Sequence, residues 1–182
     1  MTQTATTTGV AEPSWPMPQG PGPETEALKR FHRDVSWTGL VKANGAVPEM
    51  TAQGRGTFRW VGNGLWVIGE FHQDQFHDGR KVTEWSAHYI AGWDYSRRSY
   101  VAFAADSNGR AVPFTGAIDG DRFVITSDGA TIGGAPVRLR MIWDLTDPAS
   151  MRWSNEMSVA DGPWMLIEEY DMRPTESARG RP

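Results

Sequence analysis

The sequence predicts an all-β fold: an antiparallel up-and-down barrel of about ten strands with a short N-terminal helix. The first observation is a series of seven Asn-Gly or Asp-Gly pairs, which tolerate the positive φ angles of tight hairpin turns. The second is a composition with 9 Trp and 20 Gly in 182 residues, which is typical of short aromatic strands separated by turns. Sequential hairpins lose their exposed edges when they close into a barrel, so we expect closure. The pairs are Asn44-Gly45, Asn63-Gly64, Asp78-Gly79, Asn108-Gly109, Asp119-Gly120, Asp128-Gly129 and Asp161-Gly162.

A helix is predicted over residues 24–32, where Ala27, Leu28 and Phe31 recur at helical spacing and acidic residues precede basic ones. Two further turns, within residues 94–98 and 146–150, divide the longer intervals between the pairs. The strands predicted between these turns are roughly residues 33–43, 54–62, 65–76, 80–93, 98–106, 110–118, 121–127, 136–145, 150–160 and 163–173.

These elements define a single β-barrel domain over residues 24–174, since a chain of this length is of ordinary one-domain size. Residues 1–23 are rich in Thr and Pro and are predicted to form a disordered or loosely docked tail. Residues 175–182 are predicted to form a polar C-terminal tail.

Charge and residue types argue against several classes of function. The 18 basic and 22 acidic residues give a net charge of −4, which predicts no binding to nucleic acid or to anionic membranes. The absence of cysteine excludes disulfides and thiolate metal sites, and no apolar run is long enough to span a bilayer as a helix. We expect a cytoplasmic protein, because residues 1–9 have neither the charged nor the apolar region of a signal peptide. We expect no metal site, because Glu84 and His88 are four residues apart on one strand and too distant to bind one ion. We expect no cofactor, because no glycine-rich phosphate loop leads from a strand into a helix. A homo-oligomer is compatible with these features.

Four segments carry a resemblance to a known family. They are AHYIAGWDYSRRSYVAF (87–103), FTGAIDGDRFVI (114–125), RGTFRWVGNGLWVIGEF (55–71) and IEEYDMRP (167–174). Their turn and aromatic spacing resembles a bacterial lipocalin-like family of the calycin type that is known as a domain of unknown function. The resemblance covers roughly residues 25–173 and implies a barrel, and it assigns no catalytic residue.

The turns also predict which side chains face the barrel interior, because a two-residue loop pairs its flanking residues and side chains alternate across a strand. For the last hairpin, the pairs predicted on the inner face are Val159 with Trp164, Met157 with Leu166, Asn155 with Glu168, and Trp153 with Tyr170. The preceding strand adds Leu139, Met141 and Trp143 to the same apolar face. Asn155 and Glu168 are therefore predicted to be an inward polar pair.

The Asp78-Gly79 turn gives a second register, which sets His77 opposite Arg80. The inner face of this region is then predicted to contain Trp60, Phe71, Glu84, Ser86, His88 and Phe103. A single β-bulge would flip every side chain beyond it. In that alternative register, Arg59, Glu70, His72 and Tyr89 are the polar groups of the cavity.

Two functional hypotheses remain open at this point. As a binding module, the protein holds a small, largely apolar or aromatic molecule in the barrel cavity. The residues predicted to contact this ligand are Trp60, Phe71, Ser86, Phe103, Met141, Trp143, Trp153, Asn155, Trp164 and Tyr170. As an enzyme, it is a cofactor-independent isomerase, cyclase or lyase, with His88 and either Glu84 or Glu168 as an acid–base pair. Both hypotheses require the cavity. They differ in whether removal of the base abolishes turnover or only weakens ligand binding.

Overall fold

The computed structural model describes residues 20–44, 47–127, 130–132, 134–147 and 150–175. The helix α1 spans Pro23–Lys29. The strands are β1 Val35–Val41, β2 Met50–Val61, β3 Trp66–His77, β4 Arg80–Asp94, β5 Ser99–Asp106, β6 Ala111–Asp119, β7 Arg122–Ser127, β8 Ala130–Ile132, β9 Ala135–Asp144, β10 Met151–Val159 and β11 Met165–Pro174. The predicted tails lie mostly outside the described residues, and the predicted Asp128-Gly129 turn lies wholly outside them.

The predicted closed antiparallel barrel is confirmed, and it contains ten strands. Neighbours in sequence pair with each other from β1 to β7, and β9, β10 and β11 continue the meander back to β1. The short strand β8 pairs with β9, on the same edge of β9 that β7 pairs with further along. Because β9 contacts β7 on one side and β10 on the other, the barrel has no open edge at this point.

The helix α1 and the residues that follow it close one end of the barrel. Leu28 and Phe31 are fully buried, and the Phe31 ring lies 5.7 Å from the ring of Phe123 on β7. The Tyr100 hydroxyl donates to the carbonyl oxygen of Glu24 at 2.9 Å, and Arg30 pairs with Asp121 in the β6–β7 turn. The apolar spacing that predicts this helix therefore supplies the floor of the barrel.

The last hairpin turns one residue earlier than the sequence predicts. Ala160 and Asp161 both have positive φ angles, 48° and 59°, so they occupy the centre of the turn. Pairing is irregular beyond Asn155, and Leu166 lies opposite Glu156 rather than Met157. The predicted pairs Asn155–Glu168 and Trp153–Tyr170 are nevertheless present, because the shift at Asn155 and Glu156 restores the predicted register.

The β3–β4 hairpin has the predicted turn but contains a bulge two residues beyond it. His77 pairs with Arg80 as predicted, and both Asp78 and Gly79 have positive φ angles. Phe76 then pairs with Lys81 and Gln75 with Thr83, which leaves Val82 as the extra residue. One extra residue moves every later side chain of β4 to the opposite face of the sheet.

The bulge overturns the facing predicted for β4 and β5. Tyr89 and Ala87 point into the barrel and are buried, whereas His88 is exposed on the outer surface. Because β5 pairs with β4, its facing follows the same change. Phe103 lies opposite Ile90 and is 45% exposed, so its predicted inward position is wrong.

Candidate functional site

A cavity of about 220 Å³ occupies the barrel above the floor formed by α1. It opens at the barrel end that carries the β5–β6 turn, whose residues Asn108 and Arg110 are exposed and line it. The walls come from nearly every strand, which is what alternation around a closed barrel produces. The lining residues that matter below are Trp37, Phe71, Gln73, Trp85, Tyr89, Ala104, Asp106, Arg110, Met141, Trp143, Trp153, Asn155, Glu168 and Tyr170.

One wall of the cavity is a row of aromatic rings. The Tyr170 ring stacks on Trp153 with 5.0 Å between centroids and an interplanar angle of 9°, and on Trp37 at 6.0 Å and 21°. Trp153 then meets Trp143 edge to face at 6.3 Å. Stacked rings of this kind hold one another in place, so the wall is preorganised for a flat apolar ligand.

A polar cluster, formed by Gln73, Asn155, Glu168 and Tyr170, interrupts this wall. The amide nitrogen of Asn155 donates to Glu168 Oε2 at 3.3 Å, and the Trp37 indole N–H donates to Gln73 Oε1 at 3.0 Å. Among the described residues, the buried Asn155 Oδ1 has no hydrogen-bond partner, and the buried Tyr170 hydroxyl lies beside Gln73 and Glu168. Buried polar atoms are normally paired, so Asn155 Oδ1 is available to a ligand.

Burial also governs the protonation of this cluster. Desolvation raises the pKa of the Glu168 carboxyl, and the hydrogen bond from Asn155 opposes that rise. Desolvation likewise raises the pKa of Tyr170, and the negative charge of the neighbouring Glu168 raises it further. Among the described residues, no cation lies within 4.0 Å of the Glu168 carboxylate oxygens in an ion pair. The carboxyl therefore lacks the usual compensation for a buried charge.

Beneath the cavity, His32 lies in the floor against Tyr89. Its Nδ1–H donates to the carbonyl oxygen of Leu28 at 3.1 Å, which leaves Nε2 to accept from the Tyr89 hydroxyl at 3.4 Å. The ring is also within 5.9 Å of Phe58, Phe123 and Trp143, centroid to centroid. Burial lowers the pKa of His32 to about 4, so the imidazole is neutral at physiological pH.

The mouth of the cavity is shaped by Asp106. Its Oδ1 accepts the backbone N–H groups of Asn108 at 2.9 Å and Arg110 at 3.0 Å, which fixes the β5–β6 turn. Its Oδ2 accepts the indole N–H of Trp85 at 3.2 Å. The mouth therefore combines one carboxylate with the guanidinium of Arg110.

Seven of the sequence-predicted site residues line this cavity together: Phe71, Met141, Trp143, Trp153, Asn155, Glu168 and Tyr170. Tyr89 also lines it, as the alternative register proposed. Trp60 does not, because it lies at the floor end, where the Lys29 ammonium is 5.5 Å from its ring centroid. The structure assigns no role to these residues, and their proposed roles remain predictions.

Other candidates lie on the outer surface, which corrects their predicted inward facing. The bulge at Val82 turns Glu84, Ser86 and His88 outward, and Glu84 pairs there with Lys81 at 3.0 Å. Trp164 stacks its ring 4.3 Å from the Arg140 guanidinium, on the same face as the Arg140–Glu156 ion pair.

The alternative register is also wrong for three of its four residues, which lie outside as well. Arg59 is exposed, and Glu70 pairs with His72 at 3.1 Å on the same outer surface. These residues belong to β2 and β3, which the bulge in β4 does not flip.

His72 and Glu84 do meet in a larger depression on the outer face of β1 to β4 and β11, with a volume of about 720 Å³. Three of its charged side chains already pair with one another, since Lys81 contacts Asp74 at 2.6 Å and Glu84 at 3.0 Å. Exposed ion pairs of this kind are screened by solvent and contribute little. The enclosed inner cavity is therefore the better candidate for a functional site.

Sequence reasoning missed three groups that shape the site: Gln73, Trp37 and His32. Gln73 lies two residues after Phe71 on β3, and such residues face the same side of the sheet. The predicted inward position of Phe71 therefore already implies that Gln73 is inward. Trp37 occupies a strand for which no turn fixed a register. His32 follows the helix, and only tertiary packing places it beneath Tyr89.

The fold and this site define a closed barrel with a small internal cavity, and the comparisons place the chain in a family. It belongs to the family described as "Protein of unknown function (DUF1579)", whose model matches residues 21–173. No curated protein matches the sequence.

The barrel is similar to the crystal structure of Rv2717c from M. tuberculosis, with a TM-score of 0.61 and 14% sequence identity over 85% of this chain and 99% of that one. At this identity the likeness concerns the fold alone. Across the described residues, no helix is long and apolar enough to cross a membrane.

Proposed function

We propose that this protein binds a small aromatic molecule in the barrel cavity. The observation that carries the proposal is the enclosed space of about 220 Å³, with a stacked row of aromatic rings on one side and a small polar cluster beside it. Apolar walls with a few placed polar groups are the usual composition of a small-molecule site.

The size of the cavity limits the ligand to about one substituted aromatic ring. An engineered apolar cavity of about 150 Å³ accommodates benzene, so a space of this volume has room for a ring and a short side chain. Larger polycyclic ligands would need the mouth residues to move.

Catalysis by an imidazole–carboxylate pair lacks support at this site. His88 and Glu84 are on the outer surface. Among the described residues that line the cavity, the carboxyl groups are Asp106 and Glu168, and no imidazole is present. A binding role needs only the groups that are there, so it is the function we propose.

A pair of neighbouring alanines provides a sharp test. Ala104 lines the cavity, whereas Ala105 pairs with the outward His88 and points the other way. Ala104→Leu should occupy part of the cavity and weaken binding of small aromatic compounds by at least about tenfold, which corresponds to about 1.4 kcal/mol. Ala105→Leu is the matched control and should leave affinity unchanged.

The measurement is isothermal titration calorimetry with a panel of single-ring aromatic compounds. Equal affinities for wild type, Ala104→Leu and Ala105→Leu would place binding outside the cavity and contradict the proposal. So would the absence of binding by every compound in the panel.

A further inference from the structure

We infer that the cavity selects protonated aromatic amines, with the ammonium group held by the polar cluster at Glu168 and Asn155 and the ring against Trp153 and Tyr170. This inference rests on the proposed function, because it names the ligand class of the same cavity. It is carried by the hydrogen-bonding capacity of the cluster and by its charge.

The unpaired groups of the cluster call mainly for donors. Asn155 is 8% exposed, and its Oδ1 is an acceptor without a partner in the described part of the chain, while its amide nitrogen donates to Glu168. Glu168 offers further acceptor positions when ionised, and the oxygen of the Tyr170 hydroxyl beside it can accept as well. An ammonium group has three donors and no acceptor, so it fits this set.

Charge favours the same ligand. Glu168 lines the cavity and forms no ion pair in the described part of the chain. Two charged groups at the mouth nevertheless influence its pKa. Arg110 favours its ionised form and Asp106 disfavours it, so their effects oppose each other. A ligand cation beside Glu168 would supply a partner for this half-buried carboxylate.

The aromatic wall lies beside the polar cluster and supplies apolar surface for the ring of the ligand. Trp153 and Tyr170 stand on the adjacent strands β10 and β11, directly opposite each other, and two residues along each strand lie Asn155 and Glu168, also opposite each other. The ring and the ammonium group of one small ligand can therefore contact both pairs together.

Binding should also depend on pH. Burial raises the pKa of Glu168, and a protonated Glu168 must lose its proton to solvent before it can pair with an ammonium group. The groups that face this carboxyl are Asn155, Tyr170, Asp106 and Arg110. Amine affinity should therefore rise with pH through the titration of Glu168, while the affinity of a neutral ligand should not follow this rise.

The test compares three probes of nearly equal size: 2-phenylethylamine, 2-phenylethanol and phenylacetate. We expect wild-type protein at neutral pH to bind the amine at least about tenfold more tightly than the alcohol, as expected for a hydrogen bond to a charged group. Phenylacetate should bind most weakly. Glu168→Gln should remove the preference for the amine over the alcohol, whereas Glu169→Gln, on the outer face, should retain the preference.

The outcomes separate the inference from the proposed function. Alcohol or phenylacetate binding that equals or exceeds amine binding would overturn the inference, and cavity binding of an aromatic molecule would still stand. Retention of the amine preference in Glu168→Gln would also overturn it. Failure of every probe to bind wild-type protein would contradict both. The ratio of amine to alcohol affinity in wild type decides the question even if Glu168→Gln does not fold.

Discussion

Acidification should remove stability that depends on the neutral imidazole of His32. The imidazole is buried in the floor of the barrel, and burial lowers its pKa to about 4 from an ordinary value of 6.5. A histidine whose pKa is lower in the folded state binds its proton mainly in the unfolded chain. Stability is therefore complete well above pH 6.5 and is lost as pH falls toward 4.

The size of this loss follows from the two pKa values. Proton linkage gives a decrease in the free energy of unfolding of about 2 kcal/mol at pH 5 and about 3 kcal/mol at pH 4, relative to neutral pH. Glu168 acts in the opposite direction, because its raised pKa makes the folded state bind a proton more tightly in the same range. The contribution of His32 is best isolated by removing the imidazole.

The assay is urea denaturation, followed by tryptophan fluorescence, from pH 7.5 to pH 4. His32→Gln should be less stable than wild type at neutral pH, since it loses ring packing, but its stability should fall with acid by about 2 to 3 kcal/mol less. His88→Gln removes an exposed imidazole and should keep the wild-type acid profile. Parallel acid profiles for wild type and His32→Gln would refute the reasoning.

Three further predictions concern the cavity and the outer face. Trp153→Ala should lower the free energy of unfolding by about 3 kcal/mol. This value is near the low end for a buried Trp, because one side of the ring already faces a cavity. Urea denaturation of Trp164→Ala should show a smaller decrease in the free energy of unfolding. Glu168→Gln should stabilise the protein at neutral pH, because the raised pKa of Glu168 means that its ionisation opposes folding. The gain in the free energy of unfolding should grow as pH rises above the ordinary carboxyl range. A difference between variant and wild type that is constant across pH would contradict this. His88→Ala and His72→Ala should both leave ligand affinity within about twofold by calorimetry. A large loss of ligand affinity in either variant would indicate a binding site on the outer surface.

The sequence was sufficient for the architecture because turns depend on local chemistry. Asn-Gly and Asp-Gly pairs meet the φ requirements of tight hairpins wherever they occur, so strand number and antiparallel order follow from them. The pair at Asp78-Gly79 forms the predicted turn, with φ angles of 50° and 73°. The apolar spacing of Leu28 and Phe31 likewise predicted a helix over residues 24–32; the helix ends at Lys29, and Phe31 lies buried in the segment that follows it.

The side of the sheet that each residue faces was harder to predict, because it depends on residues that carry no turn signal. The bulge at Val82 moves Tyr89 inward and His88 outward, and neither side chain differs enough in polarity from its neighbours to reveal it. The last hairpin illustrates a compensating case. Its turn shifted to Ala160 and Asp161, yet the irregular pairing beyond Asn155 returned Asn155 opposite Glu168.

The position of His32 depends on tertiary packing alone. A histidine at the end of a short helix is usually a solvated residue near the helix C-terminus. Here the chain turns into the barrel after Lys29, and the imidazole stacks on Tyr89 with 5.5 Å between centroids and an interplanar angle of 12°. No periodicity within the helix indicates that contact.

The central claim, that a small aromatic molecule binds inside the barrel, is tested most directly by the tryptophan indole N–H resonances. Those in the described residues are distributed over the inner and outer faces of the barrel, so a ¹⁵N spectrum recorded during titration with the phenylethyl compounds reports where a ligand binds. The inner reporters are Trp37, Trp85, Trp143 and Trp153. We predict saturable shifts at these resonances and little change at Trp66 and Trp164. Shifts confined to Trp66 and Trp164, or no shift at any indole at saturating ligand, would contradict the account.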